Sequence, residues 1–143
     1  GIVYMHEHGA QGGDELNAVL PASNYGWPAV TKGINYSGAY VSPLKSASGI
    51  EEPLTYWVPS IAPSGLAIYS GAAFPEWQGD IFVGALVDQE VRHIKMEAGK
   101  VTGEVPIFTE IAARIRDIRV GPDGFLYILT DSDSGKVLRV VPN

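Results

Sequence analysis

Short apolar runs punctuated by glycine and proline dominate the chain from residue 65 onward. Runs rich in Val, Ile, Tyr and Phe predict β-strands at residues 65–69, 80–86, 90–96, 104–108, 114–120, 125–129 and 136–141. A further run, "GIVYM", predicts a strand at residues 1–5. The segment "TEIAAR" is too short to form more than a helical turn. The pattern therefore predicts an all-β chain.

Two stretches of the chain resemble each other. The first, "GDIFVGAL…VRHIKM", begins at Gly79, and the second, "GFLYILTD…VLRVV", begins at Gly124. Each follows a predicted strand and a turn, so each repeat of roughly 40–50 residues holds about four strands, which is typical of a β-propeller blade. The run "FLYIL" at residues 125–129 is apolar at consecutive positions. It therefore predicts a strand buried on both faces, as in a blade stacked between neighbours.

The length of the chain allows only part of a propeller. We predict one domain over residues 1–143, with an irregular blade and loops at 1–64 and regular blades at 65–110 and 111–143. A propeller needs at least four blades to close. An open ring leaves an apolar blade face uncovered, so the pattern also predicts a homo-oligomer, most simply a dimer.

Charge and composition argue against several classes of binding partner and chemical site. The formal net charge of −6 disfavours nucleic acids and anionic membranes as partners, because both require basic surfaces. The chain has no cysteine, which excludes disulfides, thiolate metal sites and thiol nucleophiles. No run is long and apolar enough to predict a membrane span.

The segment "EHGAQGGDELN" at residues 7–17 combines three acidic residues with three glycines. One interpretation is a loop that turns carboxylates and backbone carbonyls toward a hard cation such as Ca²⁺. A solvated acidic turn is the alternative that the residues alone favour. The neighbouring pair His6 and His8 supplies too few ligands for a closed metal site, and we expect His93 to be structural.

The segment "RIRD" offers a candidate anion site. On a strand, Arg114 and Arg116 share one face while Asp117 points to the other. Paired guanidiniums on one face are suited to carboxylates, which they bind with planar hydrogen bonds. Exposed surface ion pairs are the alternative. The nearby "DSDSG" at residues 131–135 is predicted to be a hairpin turn, since it lacks the spacing of a calcium loop.

Several motifs together resemble one protein family. The stretches "EHGAQGGDELN", "NYGWPAVTKG", "VPSIAPSGLAIY", "FPEWQGDIFVGAL" and "RIRDIRVGPDGFLYILTD" are similar, in order, to the C-terminal part of the soluble quinoprotein aldose sugar dehydrogenases and glucose dehydrogenases. The resemblance implies about half of a six-bladed propeller with four-stranded antiparallel blades. It also implies oxidation of the C1 hydroxyl of an aldose sugar with pyrroloquinoline quinone (PQQ) and Ca²⁺, in the periplasm or outside the cell.

The resemblance also implies roles for particular residues. Cofactor-binding residues would be Arg114, Arg116, Gly9, Ala10, Tyr56 and Trp57. Calcium ligands would be the backbone carbonyls of Gly9 and Ala10 on the quinone, and Asp14, Glu15 and the Tyr25 carbonyl at a second site. For Tyr56 and Trp57, packing in the core is an equal alternative.

This chain departs from the family pattern in three ways. Ala10 replaces a proline, which loosens the loop, and Val87 replaces a lysine that contacts the quinone in many relatives. The catalytic histidine of the family lies in the N-terminal half, and no residue here matches it. The chain alone is therefore predicted to be inactive, with the N-terminal half missing. The alternative function is a self-associating half-propeller that binds or scaffolds without catalysis.

Overall fold

The computed structural model describes residues 1–142, and these residues contain strands and two short 3-10 turns. The strands are β1 (Val3–Glu7), β2 (Asp14–Val19), β3 (Thr55–Trp57), β4 (Pro63–Ile68), β5 (Ile81–Ala85), β6 (Val91–Glu97), β7 (Lys100–Ile107), β8 (Ile115–Val120), β9 (Leu126–Thr130) and β10 (Val137–Arg139). The 3-10 turns are Pro75–Trp77 and Thr109–Ile111. Within the described residues no helix has the length and apolarity needed to cross a bilayer. The predicted all-β class is confirmed.

The strands form three antiparallel sheets, in the orders β1-β2-β3, β4-β5-β6-β7 and β10-β9-β8. The chain is thus a partial β-propeller built from sheets of three or four strands. Two compact units are distinguished, Gly1–Pro63 and a second unit from Ser64 onward. Each predicted strand is present, with bounds shifted by a few residues, whereas β2 and β3 were not predicted.

The first unit is built on a hairpin that the hydrophobic pattern did not reveal. β1 pairs with β2 in a register that runs from Val3 opposite Val19 to Glu7 opposite Glu15. β3 then pairs with the other edge of β2, with Asp14 opposite Trp57. Leu16, Trp57 and Ile61 are buried at the centre of this unit. The acidic residues of "GGDELN" therefore lie at the start of a strand and not in a loop, which corrects the prediction for this segment.

The second unit holds the larger core. All five residues of β5 are buried, because its consecutive apolar side chains fill both faces of the sheet. A cluster of fully buried side chains joins the two sheets of this unit: Tyr69, Phe82, Val91, Ile115, Ile118, Leu126 and Ile128. The hydroxyl of Tyr69 donates to the Gly124 carbonyl at 2.7 Å and accepts the Phe74 N–H at 3.0 Å, which ties the turns of both sheets together.

One strand is less buried than its sequence predicted. In β9 the side chains of Leu126, Ile128 and Thr130 are buried, but Leu129 on the opposite face is 39% exposed. The expectation that "FLYIL" is buried on both faces is therefore wrong, since the residues alternate between a buried and a more open face.

Candidate cofactor and metal sites

A tight backbone turn at residues 9–13 follows β1 in the first unit. A methyl group at Gly9 would lie 2.0 Å from the Gly12 carbonyl oxygen, and one at Gly33 would lie equally close to the same oxygen. Gly13 has a positive φ of 77°, and its N–H donates to the Trp57 carbonyl at 2.7 Å. Glycine is therefore required where these backbone segments touch. The close packing fixes the backbone that carries the Gly9 and Ala10 carbonyls.

The carboxylate of Asp14 holds this turn in place from a fully buried position. Its Oδ1 accepts the Gly9 N–H at 2.8 Å. Its Oδ2 accepts the Ser60 hydroxyl at 2.6 Å and the Ile61 and Ala62 N–H groups at 2.9 and 3.1 Å. Because Oδ2 already accepts three hydrogen bonds, only Oδ1 has lone-pair capacity for a cation. The sequence indicated Asp14 as a candidate calcium ligand, but it did not reveal that this carboxylate joins two loop segments.

Two carboxylates face each other beside this turn. Glu7 and Glu15 are directly opposite in the β1–β2 register, and the Asn17 Nδ2 donates to Glu7 Oε1 at 3.1 Å and to Glu15 Oε2 at 3.4 Å. Burial raises the pKa of both carboxyls, and the charge of Glu7 adds to the shift of Glu15. Asn17 is 1% exposed, and its Oδ1 has no hydrogen-bond partner in the described part of the chain. A bound proton or cation would offset the cost of burying these carboxylate and amide oxygens together.

A small cavity lies against these residues. Its volume is about 10 Å³, which is room for one water-sized ion, and its lining includes Glu7, Gly9, Glu15, Tyr25 and Thr31. The Tyr25 hydroxyl donates to the Ala18 carbonyl at 2.9 Å and accepts the Leu20 N–H at 2.7 Å, which holds the Tyr25 side chain at the end of β2. Carboxylate and carbonyl oxygens around a space of this size suit a hard cation.

The acidic and histidine side chains alone do not form a metal centre. Within residues 1–142 there is no group of three or more His, Cys, Asp or Glu side chains placed to hold an ion. The predicted calcium set relies on backbone carbonyls as well as carboxylates, so this observation leaves it open. His8 lies 2.6 Å from the Pro63 carbonyl oxygen through Nε2, and His93 lies 2.6 Å from Asp80 Oδ2. Both side chains have hydrogen-bond partners within the fold, which agrees with the structural role expected for His93.

The two predicted aromatic residues lie on opposite faces of β3. Trp57 is buried, while Tyr56 is half exposed with the Lys32 ammonium 5.5 Å from its ring centroid. Trp57 therefore packs in the core of the first unit, and Tyr56 is the ring that a ligand could reach. Val87 is also exposed, just beyond the end of β5.

The second unit brings Arg114 and Arg116 together at one acceptor, in exposed ion pairs. Arg114 Nε and Arg116 Nη2 lie 3.0 and 2.9 Å from the same oxygen, Oδ2 of Asp131. Their side chains are 47% and 48% exposed, so both guanidiniums are accessible. A β-bulge sits at this point of β8, because Ile115 pairs with Thr130 and Asp117 with Leu129, leaving Arg116 unpaired. Bulges of this kind re-aim side chains and are frequent beside active sites.

Comparison with known proteins identifies relatives along the whole chain. The family described as Glucose / Sorbosone dehydrogenase matches residues 1–139. The "Aldose sugar dehydrogenase YliI" of Escherichia coli (strain K12) is 46% identical over 142 residues, which cover 98% of this chain and 38% of that protein.

Solved structures agree with this result. A crystal structure of a glucose dehydrogenase superimposes with a TM-score of 0.94 at 45% identity, covering all of this chain and 42% of the other. The soluble aldose sugar dehydrogenase from Escherichia coli, solved in the apo-form, gives a TM-score of 0.91 at 46% identity and covers 98% and 41%. This chain thus spans about two fifths of the length of these relatives. It belongs to the glucose/sorbosone dehydrogenase family.

Proposed function

We propose that this chain is the C-terminal part of a PQQ- and calcium-dependent dehydrogenase that oxidises the C1 hydroxyl of aldose sugars. Family membership supports a sugar dehydrogenase, and the Arg114–Arg116 pair carries the cofactor assignment. The two guanidiniums lie on one face, share one acceptor oxygen and are half exposed. Asp131 offsets part of the repulsion between the two guanidiniums, and their remaining N–H groups are available to an anionic ligand on the exposed side.

The donor chemistry of the arginine pair fits PQQ, which has three carboxylates. The bonds to Asp131 use Nε of Arg114 and Nη2 of Arg116. Both Nη groups of Arg114 and the Nη1 group of Arg116 can therefore donate to a carboxylate ligand. Bound PQQ would supply the quinone that accepts hydride from the sugar. Arg114 and Arg116 would hold its carboxylates and stabilise negative charge that develops during the reaction.

In the first unit, the oxygen atoms around the turn at residues 9–13 fit calcium. We assign the Gly9 and Ala10 carbonyls to one ion, and Glu15, the Tyr25 carbonyl and Asp14 Oδ1 to a second. Glu7 and the Asn17 Oδ1 would add oxygen ligands to this second set, since both lie beside Glu15. Six to eight oxygens of mixed type are what Ca²⁺ prefers. Tyr56 is the aromatic side chain that we assign to the cofactor or sugar, with Trp57 behind it in the core.

The chain alone is expected to bind PQQ without turning over sugar, because no residue here matches the catalytic base of the family. The test is titration of PQQ with Ca²⁺ into the chain, followed by calorimetry. The variant carrying both Arg114→Ala and Arg116→Ala should bind PQQ at least about 100-fold more weakly, because it loses two charge-assisted interactions. The matched control is Arg119→Ala, on the same strand but paired with Asp117. Equal affinity in the wild type and the double variant would refute the site.

A second candidate function is a self-associating half-propeller that binds or scaffolds. The observation that favours it is the exposed apolar edge of β1, where Ile2, Val3 and Met5 are all accessible. Exposed apolar edge strands promote association between chains. Concentration-dependent sedimentation together with no detectable PQQ affinity would support this function over the first.

A further inference from the structure

We propose that Asp131 is a positioning residue, which holds Arg114 and Arg116 in the arrangement that receives an anionic ligand. The inference rests on the proposed function, because it assigns a role beside the cofactor-binding arginines. The sequence predicted only that Asp131 lies in a hairpin turn. In the structure a single oxygen of this residue joins both guanidiniums.

The contacts of Asp131 are suited to bringing two like charges together. Its Oδ2 lies 3.0 Å from Arg114 Nε and 2.9 Å from Arg116 Nη2. One negative charge between two positive charges offsets their repulsion, which is substantial at such separations near a protein surface. The shared oxygen also restrains both guanidinium planes, since each donates along a fixed N–H direction. The remaining N–H groups of the pair therefore start from a defined arrangement.

The backbone of Asp131 is itself anchored to the segment that carries the arginines, at the start of β8. Its N–H donates to the Arg114 carbonyl at 2.8 Å, directly beyond the last β8–β9 pair. The hairpin that follows is closed by the Lys136 N–H, which donates to Thr130 Oγ1 at 2.8 Å, and by the Gly135 N–H, which donates to the Ser132 carbonyl at 2.9 Å. The carboxylate is thus held by β9 and its turn, and does not depend on a flexible loop.

The role of Asp131 is to orient the two guanidiniums, and its contribution to the overall stability of the fold is small. Both arginines and Asp131 are partly exposed, and exposed ion pairs contribute little to folding. The hydrogen bonds from Arg114 and then Arg116 hold the pKa of Asp131 below its ordinary value, so the shift favours the ionised carboxylate that pairs with both guanidiniums. Removing this charge should therefore loosen the arginine pair without unfolding the protein.

The first measurement examines the arginines directly, without any ligand. Arginine Nε–H exchange with water is followed by NMR in the wild type, in Asp131→Asn and in Asp133→Asn. Asp133 is an exposed carboxylate of the same turn and serves as the matched control. The exchange of the Arg114 Nε–H should accelerate about tenfold in Asp131→Asn and stay unchanged in Asp133→Asn. Unchanged exchange in Asp131→Asn would overturn the proposal.

The second measurement uses PQQ with Ca²⁺ as the probe. Asp131→Asn should weaken binding by about tenfold or more, while Asp133→Asn should have little effect. In a protein already carrying Arg114→Ala and Arg116→Ala, Asp131→Asn should add nothing, because Asp131 acts only through the arginines. Tighter binding by Asp131→Asn would overturn the proposal, since Asp131 would then compete with the ligand. Absence of PQQ binding in the wild type would refute the proposed function, while the exchange experiment would still decide the role of Asp131.

Discussion

At the scale of single residues, the buried carboxylate of Asp14 has the most demanding environment in the first unit. It accepts hydrogen bonds from Gly9, Ser60, Ile61 and Ala62, which belong to two separate loop segments. A buried carboxylate is tolerated only with such complete hydrogen bonding. The fold around the turn at residues 9–13 therefore depends on this residue whether or not a cation is bound.

Replacing Asp14 with asparagine should destabilise the chain markedly. The amide presents one Nδ2 group to N–H donors that need an acceptor, so at least one donor loses its partner in a buried site. We expect the free energy of unfolding to fall by about 3 kcal/mol or more, as for breaking a buried charged network. Urea unfolding at pH 7 without metal measures the change. Asp133→Asn, on an exposed turn, provides the control, and an equal effect of both variants would contradict the assignment.

The raised pKa of Glu90 predicts that its contribution to folding stability changes with pH in the direction opposite to that of most paired carboxylates. Burial is the main cause that raises its pKa above the ordinary 4.5, although the charge of Arg92, whose Nε lies 2.9 Å away, opposes the shift. A carboxyl with a raised folded pKa binds its proton more tightly when folded. Its stabilising contribution is therefore complete below pH 4.5 and is lost as the pH rises through the folded pKa.

The neutral variant Glu90→Gln should thus be more stable than the wild type at pH 7, and the difference should disappear near pH 4. Arg92 keeps its ion pairs with Asp88 and Glu104, so the variant does not leave that guanidinium without a partner. Thermal unfolding at both pH values measures the effect, with Glu76→Gln on the exposed surface as the control. A loss of stability in Glu90→Gln at pH 7 would show that the pairing with Arg92 outweighs burial.

At the scale of elements, the hydrophobic pattern predicted the strands that are apolar and missed those that are not. β2 reads "DELNAV", and its first four residues are buried although three of them are polar. β3 has three residues, which is too short for any periodic signal. Because the polar pattern of β2 predicted a loop, the sequence did not reveal that Glu7 faces Glu15 or that Asn17 donates to both. The arginine pair was predictable because the two residues are two positions apart at the start of β8, whereas Asp131 approaches from the turn that follows β9.

The turn between β1 and β2 should be intolerant of any side chain at Gly9. A Cβ there would lie 2.0 Å from the backbone oxygen of Gly12, so the turn would have to open. We expect Gly9→Ala to lower the free energy of unfolding by about 2 kcal/mol, within the range of steric strain at tightly packed positions. Gly103→Ala on β7 is the control, because its Cβ would meet only the Lys95 side chain at an ordinary 3.7 Å. Equal stability of the two variants by urea unfolding would contradict this account.

At the scale of the whole molecule, the sequence predicted a repeat of four-stranded units because apolar runs alternate with glycine and proline turns. Among the described residues, the sheet β4-β5-β6-β7 has four strands, whereas the sheet β10-β9-β8 has three. The family and the partial propeller followed from the same motifs and are confirmed by the match over residues 1–139. The chain spans about two fifths of the length of its relatives, and apolar side chains along β1 are exposed. Self-association is therefore a physical expectation for the isolated chain as well as a candidate function.

The exposed edge of β1 gives this expectation a specific test. Val3 is 64% exposed and lies on β1, which pairs with β2 at one edge of its sheet. If copies associate through this edge, Val3→Lys should raise the dimer dissociation constant at least about tenfold, because a charge at a paired edge opposes association. Val105→Lys on β7 is the matched control for adding a lysine to an exposed strand position. Sedimentation of the wild type as a folded monomer at all concentrations would contradict the predicted oligomer. Equal weakening by both variants would place the contact away from β1.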